Sequence, residues 1–145
     1  MIDVSIEENK SVDRRRSSYH LVFVPKYRRA MFGKPINRMI VREILLAVFQ
    51  KYGAKVHAME LAPDHVHAFV EMPIKESIWE MIRKVKQVSA RTIFQAMPNF
   101  RLTLRKGRFW SRYTYYESIG KVTAEKIQKY IEEGQEKHYS QFHKK

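Results

Sequence analysis

Hydrophobic and polar positions change period several times along this chain. From Ser18 to Tyr27, aromatic and β-branched residues dominate as far as Pro25, which predicts a first strand. Gly33 and Pro35 mark a turn, and Asn37 is placed to cap a helix. Ile40, Val41, Ile44, Leu45, Val48, Phe49 and Tyr52 then recur at i, i+3, i+4 spacing, so one helix face is apolar, and Gly53 ends it. Lys55 to Leu61 reads as a second strand, Pro63-Asp64 as a turn, and His65 to Met72 as a third strand closed by Pro73. The connection is too short for a crossover, so this pair must be antiparallel.

From Ser77 a second helical stripe follows: Ile78, Met81, Ile82, Val85, Val88, Ser89, Thr92, Ile93 and Ala96, stopped by Pro98. Arg101 to Tyr116 alternates basic and apolar residues around Gly107 and reads as a strand or hairpin. Thr123 can cap a last helix containing Ile127, Tyr130, Ile131 and Gly134. The expected order is β-α-β-β-α-β-α. That is an α+β fold in which an antiparallel sheet is covered by helices, ferredoxin-like or RRM-like. No internal repeat or linker divides it. The expected organisation is a flexible arm over 1–17, one domain over 18–135 and a polar tail over 136–145.

Composition narrows the chemistry. The 145 residues include no cysteine, which excludes disulfides and thiolate metal sites; a metal would need His, Asp, Glu, Gln or water. The first eight residues are acidic and lack the apolar core of a signal peptide. No apolar run approaches the roughly 20 residues that span a bilayer. The expectation is a soluble cytoplasmic protein with no membrane partner.

Charge supplies the partner class. The net charge is +13, and it is blocked rather than interspersed: residues 14–42 and 81–116 contain no Asp or Glu. A polyanion is the natural partner. The candidate nucleic-acid contacts are Lys26, Arg28, Arg29, Arg83, Lys84, Arg91, Arg105, Lys106, Arg108 and Arg112. Phe109, Trp110, Tyr113, Tyr115 and Tyr116 interleave with the last of these. Rings between cations suit single-stranded nucleic acid, because bases stack while Arg and Lys hold phosphates; a plain core strand is the competing reading.

The candidate chemistry centres on His65 and His67. Residues i and i+2 of a strand share a face, so the two imidazoles project side by side and Val66 points away. Such a pair can give a divalent metal two ligands from one rigid element; most such pairs are simply polar groups on a sheet. A metal held there with an oxygen ligand could polarise a scissile phosphate. A tyrosine hydroxyl could then attack phosphorus. Tyr130 lies mid-helix beside Ile127 and Ile131, where packing explains it equally well, and Tyr113, Tyr115 and Tyr116 compete for the role.

The ordered set Tyr19-His20-Leu21-Val22-Phe23-Val24-Pro25-Lys26-Tyr27-Arg28-Arg29, Pro63-Asp64-His65-Val66-His67, Ile78 through Ser89-Ala90-Arg91, Phe109-Trp110-Ser111-Arg112-Tyr113 with Ser118-Ile119-Gly120, and Tyr130-Ile131 resembles the single-tyrosine HUH transposases of the IS200-like insertion-sequence family. The resemblance runs from about Ser18 to Gln135. It implies that His65 and His67 bind Mg²⁺ or Mn²⁺, that Tyr130 is the nucleophile, and that no nucleotide cofactor is needed. It implies cleavage and rejoining of single-stranded DNA at element ends through a 5′-phosphotyrosine, with recognition of subterminal hairpins. It implies an obligate homodimer in which the tyrosine helix of one subunit can complete the other's site. The pattern expects a glutamine four residues after the tyrosine. Gly134 stands there and Gln135 follows, a rotation of about 100° on a helix. Gln135 is the first choice for a third ligand, with Glu133 and Asp64 as alternatives. His20 and His57 read as structural or DNA-contacting. The competing functions are a non-catalytic single-strand-binding module and a domesticated relative that processes chromosomal hairpin repeats.

Overall fold

The computed structural model describes residues 16–26, 32–73, 75, 77–100, 108–119, 125 and 129. Its elements are β1 (Arg16–Pro25), α1 (Pro35–Lys51), β2 (Lys55–Ala62), β3 (His65–Pro73), α2 (Ile78–Ala96) and β4 (Trp110–Ile119). The last helix expected from Thr123, and residues 101–107 of the expected basic strand, lie outside the described residues. The four strands form one sheet in the order β2-β3-β1-β4, and every neighbouring pair is antiparallel. This is the expected α+β architecture.

Local chemistry accounts for most boundaries. β1 begins at Arg16, two residues inside the expected arm, because the Arg16 guanidinium reaches across the sheet: its Nε donates to Glu71 Oε2 at 2.8 Å and its outer nitrogen to Gly53 O at 3.0 Å. The start of α1 differs from expectation. Pro35 occupies its first turn and Lys34 is the cap, with no side-chain hydrogen bond. Proline's fixed φ is preorganised for that position and its missing N–H is no loss there, so Asn37 sits inside the helix instead of capping it. At the other end Gly53 takes φ +80°, the left-handed conformation that releases the chain into β2. For α2 the expected cap is the observed one: Ser77 Oγ accepts the N–H of Glu80 at 3.2 Å.

Strand alternation sorts the side chains onto two faces. Leu21, Phe23, Val66, Ala68, Val70 and Met72 face Val41, Leu45, Val48 and Phe49 of α1, and Met81, Ile82, Val85 and Ile93 of α2. At about 25 cal/mol per Å² of apolar surface removed from water, this layer is the main stabilising element. The opposite face carries His20, Val22 and Val24 from β1, and His65, His67 and Phe69 from β3, all buried as well. β3 is therefore covered on both sides from His65 to Val70. Trp110 pins the start of β4 to α2: its indole N–H donates to Ser89 Oγ at 2.9 Å within the core. Among the described residues no helix is long and apolar enough to cross a membrane.

Candidate active site

β3 places His65 and His67 as the alternation requires, on the face away from the helices. Their Nε2 atoms lie 3.0 Å apart, and both rings are buried. Each ring is also held at its other nitrogen. His65 Nδ1 donates to Asp64 Oδ1 at 2.8 Å, and His67 Nδ1 is 3.0 Å from Nε2 of His20 on β1. Asp64, His65, His67 and His20 thus form one continuous row of polar contacts across two strands. Antiparallel pairing creates it: Val22 is the partner of His67 and Phe69 that of His20, so the two histidines are diagonal neighbours. Their rings are nearly parallel, at 7° with centroids 5.2 Å apart.

The row fits a divalent ion at its centre. Two metal–nitrogen bonds of about 2.1 Å at a right angle set their donors about 3.0 Å apart, which is the separation of the two Nε2 atoms. Partners that fix ligating rings from behind are the rule at histidine metal sites, and Asp64 occupies that position. Its Oδ1 is engaged on the Nδ1 side of His65, which makes it a support for the ring. Among the described residues no group of three or more His, Asp or Glu is arranged to hold a metal. Gln135 and Glu133, the other expected third ligands, lie outside the described residues, as does Tyr130.

The rival tyrosines are accounted for in other ways. The Tyr115 hydroxyl donates to Glu117 Oε2 at 2.7 Å, and burial together with that carboxylate pushes its pKa up to about 12. Tyr116 packs edge-on against Trp79, and Tyr113 is exposed. His57 meets Glu71 Oε1 at 3.4 Å and is buried, in keeping with a structural role. Pairing of His20 with His67 had no signal within its own segment; only the register of β1 on β3 reveals it.

The expected DNA contacts divide into groups. Arg91, Arg108 and Arg112 gather with Lys86 around a cleft of about 530 Å³ between α2 and the start of β4, whose lining also includes Phe94, Phe109 and Trp110 and contains no carboxylate. Lys86 Nζ donates to Ser111 O and Thr114 Oγ1, each at 2.7 Å; burial pushes its pKa down to about 8, and the charge of Arg108 adds to that. Arg83 instead pairs with Glu80 one helical turn away, and Lys84 lies over the Tyr52 ring. Lys26 is half-buried at the end of β1, its N–H bonded to Phe109 O. Arg28, Arg29, Arg105 and Lys106 lie outside the described residues.

An antiparallel β2-β3-β1-β4 sheet with two helices on one face and a histidine pair on the other is the HUH-type α+β fold. A family model described as "Transposase IS200 like" matches residues 14–134. The transposase for insertion sequence element IS200 of Salmonella typhimurium is 32% identical over 126 residues, covering 86% of this chain and 81% of the relative. The ISDra2 transposase TnpA of Deinococcus radiodurans is 31% identical over 120 residues, covering 82% and 84%. A crystal structure of a candidate transposase from Deinococcus radiodurans R1 superposes with a TM-score of 0.67 at 24% identity, covering 88% of this chain and 97% of that one. A REP-associated tyrosine transposase bound to a REP hairpin superposes with a TM-score of 0.55 at 15% identity, covering 90% and 74%. This chain belongs to the IS200-like transposase family.

Proposed function

We propose that this transposase cuts and rejoins single-stranded DNA with a metal at His65 and His67 and with Tyr130 as nucleophile. The observation that carries the reading is the convergence of two buried imidazole nitrogens to 3.0 Å, each ring supported from behind. A bound Mg²⁺ or Mn²⁺ would polarise the scissile phosphate and offset its charge. His65 and His67 would hold the ion, with Gln135 as the proposed third ligand and Glu133 the alternative.

The Tyr130 oxygen attacks phosphorus and loses its proton. The bond from phosphorus to the 3′ oxygen breaks, and that oxygen leaves as a 3′-hydroxyl. The 5′-phosphate stays on the tyrosine, so bond energy is retained. Attack by a 3′-hydroxyl on this phosphotyrosine reverses the step and joins strands, with no nucleotide cofactor.

The arginine cleft of α2 and β4 is a proposed contact for the DNA backbone. It lies on the helix side of the sheet, away from the histidine face. Recognition of subterminal hairpins is part of this proposal; the REP-associated neighbour is bound to a REP hairpin. A homodimer is proposed too: β4 is a ten-residue strand at the edge of the described sheet, and an edge can pair with a second copy.

The test is incubation with labelled single-stranded DNA carrying a terminal hairpin, plus Mn²⁺, scored on a denaturing gel. The wild type is expected to give a covalent protein–DNA band, and Tyr130→Phe to lose it while still binding the hairpin. A covalent band from Tyr130→Phe would contradict the assignment.

A further inference from the structure

We infer that His20 is a positioning residue for the metal pair, acting through His67 by fixing which of its ring nitrogens carries the proton. The inference rests on the metal reading of His65 and His67. Its basis is the 3.0 Å contact between His20 Nε2 and His67 Nδ1, made inside a fully buried row on one sheet face.

The protons can be followed from the carboxylate outward. Asp64 can only accept, so neutral His65 carries its proton on Nδ1 and its Nε2 is bare. With no metal between them, a hydrogen bond to His65 Nε2 at 3.0 Å needs a proton on Nε2 of His67. His67 Nδ1 is left bare and takes the Nε2–H of His20. A metal binds only a bare nitrogen. To offer Nε2, His67 must move its proton to Nδ1, and its partner there must change from donor to acceptor. His20 does so by moving its own proton from Nε2 to Nδ1. Each ring carries one proton before and after, so no charge enters the buried face.

Histidine suits this place because one atom, Nε2, serves as donor in one arrangement and acceptor in the other. An apolar side chain would satisfy neither and would leave a buried ring nitrogen of His67 without its partner. A carboxylate could only accept, and would add charge beside Val22 and Val24, which are buried on the same face. His57, by contrast, meets a carboxylate at Glu71.

The experiment is Mn²⁺ titration by calorimetry of the full chain as wild type, His67→Ala, His20→Leu and His20→Gln, with the melting temperature of each. The wild type is expected to bind and His67→Ala to lose binding. His20→Leu should bind roughly 10- to 100-fold more weakly, and His20→Gln should recover most of that, because an amide can turn either its oxygen or its nitrogen to His67. Ring ¹⁵N spectra of the wild type with Mg²⁺ should show the His67 proton moving from Nε2 to Nδ1. Wild-type affinity in a folded His20→Leu chain overturns the inference, as does an unchanged His67 proton position on metal binding. Should His20→Leu fail to fold, His20→Gln and the ring spectra decide. A wild type that takes up no Mn²⁺ overturns the metal reading and this inference with it.

Discussion

Asp64 and His65, adjacent in the chain, are joined side chain to side chain: the Nδ1–H of His65 donates to Asp64 Oδ1 at 2.8 Å, and both residues are buried. The carboxylate thereby fixes the tautomer that leaves His65 Nε2 bare. Asp64→Ala is expected to weaken Mn²⁺ binding by about 10-fold or more, and Asp64→Asn by less, since the amide oxygen still accepts. Calorimetry checks both, and equal losses in the two variants would place the effect in charge alone.

Tyr115 offers a control for the nucleophile. Its hydroxyl donates to Glu117 Oε2 at 2.7 Å. Tyr115→Phe is expected to leave covalent attachment to cleaved DNA intact. Loss of the attachment with wild-type DNA binding would move the nucleophile onto β4.

Lys86 makes stability depend on pH. Its pKa falls from 10.5 to about 8 on folding, mainly by burial, so between those values the unfolded chain holds more protons than the folded one. Stability therefore rises with pH across this window, and the penalty is fully present below about pH 8. Urea denaturation of the wild type and Lys86→Met at pH 7.5, 9 and 10.5 is expected to show the difference shifting toward the wild type as pH rises, given a window opening near pH 8. Parallel curves would contradict the burial argument.

Ser89 carries no charge and belongs to no catalytic group, yet it is the acceptor for Trp110 in the core. Ser89→Ala leaves a buried indole N–H unsatisfied, at a cost of about 1–3 kcal/mol. The same denaturation experiment measures it. A loss well below this range would mean that Trp110 finds another acceptor.

Sequence carried the features that depend on spacing within one segment. The shared face of His65 and His67 follows from strand alternation, and the Ser77 cap follows from a hydroxyl standing before an amphipathic stripe. The Asn37 cap failed because Pro35 can take the first helical position two residues earlier, and pattern alone does not rank two competing start signals. Contacts between segments were hidden. The row from Asp64 to His20 exists only because β1 pairs with β3 in one register; a shift by one residue would turn His20 to the helix side. Asp64 read as an alternative ligand because it is next to the pair; its hydrogen bond to His65 Nδ1 forms at the turn and had no signal in the spacing. Likewise, Arg83 and Arg91 belong to one charged helix, but only Arg91 lies on the side that reaches β4.

Peptide mapping of the covalent product tests the central claim most directly. Trypsin cuts after Lys129 and Lys137, so residues 130–137 form a peptide whose sole hydroxyl nucleophile is Tyr130; the rival tyrosines fall together in residues 113–121. After incubation with single-stranded hairpin DNA and Mn²⁺, followed by nuclease trimming, the account predicts a nucleotide adduct on peptide 130–137 in the wild type and none in His67→Ala. An adduct on peptide 113–121, or one on 130–137 that persists in His67→Ala, would contradict it.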